Sequence, residues 1–236
     1  RDVAPSRGLG DVYKRQLALV CTLSVFNGFQ DMVASFFTAF DPQLKITVRE
    51  GKVFDAQDKR IRAVCALPEV EVFTETLEEN AMVQYKDRQA MVVLKGVEDN
   101  FEELTAIDSI LYGAGEFVLH DSIVNYGVMG VELVATVGTG WEFVDPLQVY
   151  LPKRNAKVNM ANPGASFNRD YLYSPGVVFV VNQQEYDGKY ILTSLDFLRQ
   201  LLDYTTEVSA MELKLKPNVN TCLLYTSDAA DEARSV

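Results

Sequence analysis

Apolar and polar positions divide the chain into a lead-in and a body. Residues 17–26 read LALVCTLSVF, with no charge and only Thr22 and Ser24 polar. Crossing a bilayer takes about 20 apolar residues, so a run of this length does not span alone. It suits a core helix of a soluble protein, the core of a signal peptide, or the second half of a transmembrane helix. A signal peptide ends in small residues at its cleavage site, whereas Phe26-Asn27-Gly28-Phe29 follows here. The run breaks at Asn27-Gly28. Beyond it Phe29, Val33, Phe36, Phe37 and Phe40 recur at helical spacing, which predicts an amphipathic stalk. Residues 17–40 thus read as a transmembrane helix leaving the bilayer for a folded domain.

The body alternates strand and helix patterns. Residues 43–50 set Leu44, Ile46 and Val48 against Lys45, Thr47 and Arg49, the period of a half-buried strand. Ile61, Val64 and Cys65 share one helical face in 58–67, and Pro68 ends that helix. Strands follow at 70–78, 81–86 and 89–97, with a hairpin turn at Tyr85-Lys86-Asp87-Arg88. Residues 117–120 read as a short buried strand. Asp121 then opens a helix over 122–137, weakened by Gly127, Gly130 and Gly138. Residues 144–151 form a strand whose Pro146 suits an edge. Residues 152–175 have no period and read as a polar loop. Strands at 177–182 and 189–193, a helix over 195–204 capped by Ser194, and an alternating strand at 208–216 complete the body. The class is α+β.

The two ends are expected to be foreign to the domain. The stretch DVYKRQ (11–16) can be encoded by DNA whose reverse complement, read one base in, translates as CLLYTS, and that string occupies 222–227. An inverted repeat flanking a coding segment resembles a ligated transposon adapter. Residues 1–16 and 221–236 are therefore set aside as one would set aside a tag, and are expected to be disordered or loosely attached.

Charge and motifs narrow the function. The net charge is −11, and the two end segments contribute nothing to it. Phosphate-backbone binding needs clustered Lys and Arg, so a nucleic-acid partner is excluded. Cys21 and Cys65, outside the end segments, make no disulfide framework. His120 is the single histidine, so no histidine-pair metal motif exists. Phosphate-loop, dinucleotide and nucleophile-elbow motifs are absent too. Glu69, Glu71, Glu75, Glu78 and Glu79 read as a solvated face, and Trp141 and Phe143 as core anchors in preference to exposed ligand contacts. No catalytic residue, cofactor or metal is expected.

Four short strings then fall in a telling order: Asn27-Gly28-Phe29, Asp41-Pro42-Gln43-Leu44, Leu67-Pro68-Glu69-Val70 and Lys95-Gly96-Val97. Their order resembles the lipoprotein-releasing (Lol-type) ABC transporter permeases and the wider group with MacB-like periplasmic domains. The resemblance covers most of 17–220. It implies a split α+β subdomain (41–107 with 176–220) and an inserted subdomain (108–175). It also implies a bacterial inner-membrane location with the folded part in the periplasm. The implied partners are a cytoplasmic ATPase subunit, a second permease subunit, a lipoprotein substrate and a periplasmic lipoprotein carrier. A MacB-like efflux permease and an FtsX-like signalling permease are the alternatives, and Val137-Gly138-Thr139-Gly140 stands where the family has a Gly-Asp turn.

The loop 152–175 is longer than the ~12–15 residues usual for structureless connections, which marks it as functional or disordered. It holds Lys153, Arg154 and Arg169 in an acidic chain, interleaved with Met160, Phe167, Tyr171 and Tyr173. Aromatic, Met and Arg side chains are enriched in interface cores. These seven residues are expected to dock a partner with an acidic or apolar groove. The resemblance implies that one family member recruits the periplasmic carrier through a hairpin here. Trimming 1–16 and 222–236 is expected to change unfolding free energy by no more than about 0.5 kcal/mol, measured by urea denaturation.

Overall fold

A computed structural model describes residues 6–153 and 166–217; in the first helix, side chains are described for 12–30 and for Phe40. Residues up to Thr38 form one compact unit and those from Ala39 onward a second.

The first unit is helical. Helix α1 spans Ser6–Phe40 without interruption, so Asn27-Gly28 does not break it and 6–16 belong to it, while 1–5 and the end segment 221–236 lie outside the described residues. Nothing within 4 Å crowds Gly28, and one glycine costs a helix only about 1 kcal/mol, which apolar neighbours on both sides carry through. Leu17, Leu19, Val20, Leu23, Val25, Phe26 and Phe29 are all exposed. Among the described residues no helix is long and apolar enough to cross a membrane.

The second unit is built on one mixed sheet. Its strands are β1 (Leu44–Thr47), β3 (Val70–Tyr85), β4 (Arg88–Val97), β5 (Leu111–Gly113), β6 (Val128–Gly130), β7 (Leu147–Pro152), β8 (Phe167–Leu172), β9 (Val177–Phe179), β10 (Tyr190–Ser194) and β12 (Ala210–Leu215). Short β2 (Phe54–Asp55) and β11 (Glu207–Val208) pair beside it. The main order is β1-β12-β3-β4-β10-β6-β9-β5, and β7 joins β3 and carries β8. Among the described residues only β10 with β4 and β6 with β9 pair as parallel strands. The remaining helices are α2 (Lys59–Cys65), α3 (Phe101–Leu104), α4 (Val131–Val137), α5 (Gln184–Asp187) and α6 (Leu195–Leu202).

Strand β3 ties these parts together. Its Val70–Thr76 portion pairs with β12, its Met82–Gln84 portion with β7, and Thr76–Tyr85 with β4. The two expected strands at 70–78 and 81–86 are therefore one. The expected turn holds, with Tyr85 opposite Arg88 and Lys86 left-handed at φ 52°. Helix α6 packs its buried Leu195, Phe197, Leu198, Leu201 and Leu202 on this sheet. It starts where Ser194 Oγ accepts from the Phe197 N–H at 3.3 Å. Gly96 permits the close approach, since a β-carbon there would lie 3.1 Å from Leu198 Cβ.

Several expectations give way to tertiary packing. The helix expected at 122–137 is strand β6 followed by the shorter α4. Gly130 runs against the Asp187 backbone with no room for a β-carbon, a contact a helix through Gly130 would not make. Residues 117–120 make only an isolated bridge, His120 with Asn125. Strand β7 lies between β3 and β8 rather than at an edge, with Pro146 just outside it. Phe143 is core, but Trp141 is 64% exposed.

A buried ion pair lies across β3. Lys95 on β4 and Glu212 on β12 are 2% and 0% exposed, with Nζ 2.8 Å from Oε1. The Lys95 ammonium also lies 5.1 Å from the Phe40 ring centroid and 5.3 Å from that of Phe101, within cation–π range. Removing one member of such a pair strands the other charge, whereas replacing both with apolar groups is often neutral. Lys95→Ala or Glu212→Ala is expected to destabilise by about 3–5 kcal/mol in urea unfolding, and Lys95→Met with Glu212→Leu by far less.

Candidate partner-binding surface

Strands β7 and β8 form an antiparallel hairpin in which Leu147 faces Leu172, Tyr150 faces Arg169 and Pro152 faces Phe167. Most of the loop expected to lack structure after Ser166 is thus strand. The period was hidden because the inward positions of β8 are the polar Asn168 and Asp170, and Asn168 Nδ2 donates to Leu201 O at 2.7 Å. Leu147, Val149, Leu151 and Leu172 anchor the hairpin in the core.

Alternation then sends Phe167, Arg169 and Tyr171 to solvent together. Phe167 and Tyr171 are 38% and 41% exposed. Register extends this face across four strands. Arg169 neighbours Tyr150, which neighbours Met82, which neighbours Met91. The adjoining row is Tyr171, Gln148, Gln84 and Gln89. Met91 is 68% exposed. The two rows carry one charged side chain, Arg169, and no carboxylate, in a chain of net charge −11.

Of the seven expected docking residues, Phe167, Arg169 and Tyr171 share this face. Lys153 is exposed at its end, its N–H donating to Ser166 O at 2.9 Å. Tyr173 is exposed but has left the ladder, and its N–H donates to Asn125 O. Arg154 and Met160 lie outside the described residues. Tyr150, Met82 and Met91 were not legible as site residues, because only register sets them beside Arg169.

A second polar feature is a 590 Å³ cleft floored by Glu75. Glu75 is buried and receives Arg62 Nη2 at 2.6 Å and Arg199 Nη2 at 2.7 Å, so it does not belong to a solvated face. Glu78 and Glu79 pair with Lys45 and Lys52. Beside Glu75, Glu98 Oε2 accepts from the Glu75 N–H at 3.2 Å and from Thr74 Oγ1 at 3.4 Å. Burial pushes the Glu98 carboxyl above its usual range, reinforced by the Glu75 charge. Two guanidinium groups already neutralise Glu75, which makes the cluster structural. Among the described residues no three His, Cys, Asp or Glu side chains converge to hold a metal ion.

The fold is shared with the extracellular domain of the noncanonical ABC-type transporter YknZ from Gram-positive bacteria. That likeness has a TM-score of 0.50 at 10% identity and covers 78% of this chain and 84% of that one. The periplasmic region of MacB from Actinobacillus actinomycetemcomitans is also similar, with a TM-score of 0.49 at 9% identity, covering 78% of this chain and 81% of that one. No family model and no curated protein matches the sequence. At such identity the YknZ likeness establishes a common α+β fold.

The raised Glu98 group makes a pH prediction. Its folded form binds a proton more readily than the unfolded chain, so ionised Glu98 opposes folding and the penalty lifts as pH falls. Glu98→Gln is expected to be more stable than wild type near neutral pH, with the difference shrinking as pH drops to about 4, measured by thermal melts.

Proposed function

We propose that the chain is the extracytoplasmic domain of an ABC transporter permease subunit, with the adjoining end of a transmembrane helix. The observation that carries this is the fold shared with the YknZ extracellular domain. The lead-in supports it, because α1 exposes apolar side chains from Leu17 to Phe29 that would need lipid or neighbouring helices as cover. A cytoplasmic ATPase subunit supplies the energy, a second permease subunit completes the pore, and the domain itself performs no chemistry.

The finer reading is lipoprotein release. The domain stands outside a bacterial inner membrane, takes part in extracting a lipoprotein, and passes it to a soluble periplasmic carrier. Phe167, Arg169, Tyr171, Tyr150, Met82 and Met91 form the carrier-docking face, with Lys153 at the hairpin end. Efflux and signalling permeases share the architecture, and they differ in having no soluble lipoprotein carrier to bind.

Arg169→Glu and Met91→Asp, each on an exposed position, are expected to leave the melting temperature near wild type. Each is expected to weaken carrier binding at least tenfold in a titration, about 1.4 kcal/mol. Carrier affinity equal to wild type in both variants would defeat the docking face. No carrier binding by the wild-type chain would favour efflux or signalling.

A further inference from the structure

Phe40 is the last residue of α1, and Pro42 keeps the helix from continuing by disfavouring helical geometry at Asp41. Three further residues separate Phe40 from β1. From this short connector the Phe40 ring, 1% exposed, enters an aromatic box. Its centroid lies 4.7 Å from Tyr186, 5.3 Å from Phe179 and 5.6 Å from Tyr190. The same ring covers Lys95 Nζ at 5.1 Å. Glu212 on β12 and Phe101 on α3 bound the ammonium from elsewhere, so Phe40 is the wall supplied from outside the sheet and α3.

The ion pair beneath is incompletely satisfied. Glu212 Oε1 accepts from Lys95 Nζ at 2.8 Å and lies 3.5 Å from Thr76 Oγ1, while Oε2 is buried with no hydrogen-bond partner. Buried charges hydrate favourably once water has a path, so lifting Phe40 loses ring packing and regains hydration. The two changes oppose each other. A clasp holds the closed state: Tyr186 Oη donates to Asp41 Oδ2 at 2.9 Å and Oδ1 at 3.1 Å, one residue beyond Phe40. Burial and the Asp41 charge raise the Tyr186 phenol far above its ordinary range, keeping it a donor.

We propose that Phe40 is a removable lid over the Lys95–Glu212 pair, clasped by Tyr186 and Asp41, whose lifting admits water to the pair without unfolding the sheet. Phe40 then has two positions, and each corresponds to a different hydration of the centre of the sheet.

Lysine acetylation of the full chain by a water-soluble acetyl ester, quantified by mass spectrometry, tests it. Lys52, whose side chain is 74% exposed, is the internal reference. In wild type Lys95 is expected to react at least about a hundredfold more slowly than Lys52, at a rate that low urea does not change, the mark of local opening. Phe40→Ala is expected to raise the Lys95 rate about tenfold or more while the melt stays cooperative, and Tyr186→Phe to raise it several-fold. Tyr186→Phe keeps every ring in place and decides the matter if Phe40→Ala fails to fold. Lys95 as slow in folded variants as in wild type, or reacting in wild type only through urea-sensitive opening of the whole domain, would overturn the lid.

Discussion

Lys95 and Glu212 are both withdrawn from water, and the architecture around them follows from keeping them so. They sit on strands that flank β3, so their contact bridges the lateral order β12-β3-β4 that the backbone ladders set. Lys45 reaches toward the same carboxylate at 3.7 Å and bonds Glu78 at 2.7 Å, which draws β1 into the arrangement. A charged pair of this kind adds little net stability. It does exclude other registers, since a one-residue slip of β12 would turn Glu212 to the opposite face.

Strand β3 is long enough to carry two partners beside β4. One end of the strand carries β12 and the ion pair, and the other carries the β7–β8 hairpin. The candidate docking face and the buried pair are therefore parts of a single continuous strand. Phe40 stands at the first of these ends. Its ring closes a hydrophobic cluster together with Phe179, Phe101 and Leu192. The face carrying Arg169, Tyr150, Met82 and Met91 contributes nothing to that closure, which leaves it free to be specialised for contact.

Local pattern was enough for elements whose partners lie nearby. The Lys86–Asp87 turn, the Ser194 cap of α6 and the alternation of β1 and β12 are all legible from a few neighbouring residues, because backbone geometry and period set them. The apolar run of the lead-in was legible for the same reason. Gly130 and β8 were not. Gly130 looks like a helix-weakening residue until the Asp187 backbone is seen against it. Strand β8 has polar inward positions whose reason is a bond from Asn168 to the end of α6, 33 residues away.

Charge shows the same division more sharply. Glu71, Glu75 and Glu79 alternate in sequence as a solvated edge would, and Glu75 is nonetheless buried. Its two guanidinium partners come from α2 and α6, at separations of 13 and 124 residues, and no local rule brings them together. Lys95 in a central strand likewise reads as an outward position until β12 and Phe40 close over it. By itself the sequence determined the α+β class, the apolar lead-in, the net negative charge and the residue types of the candidate docking face. Tertiary structure decided which charges are buried and which side chains stand beside Arg169, because both depend on strand register between distant parts of the chain.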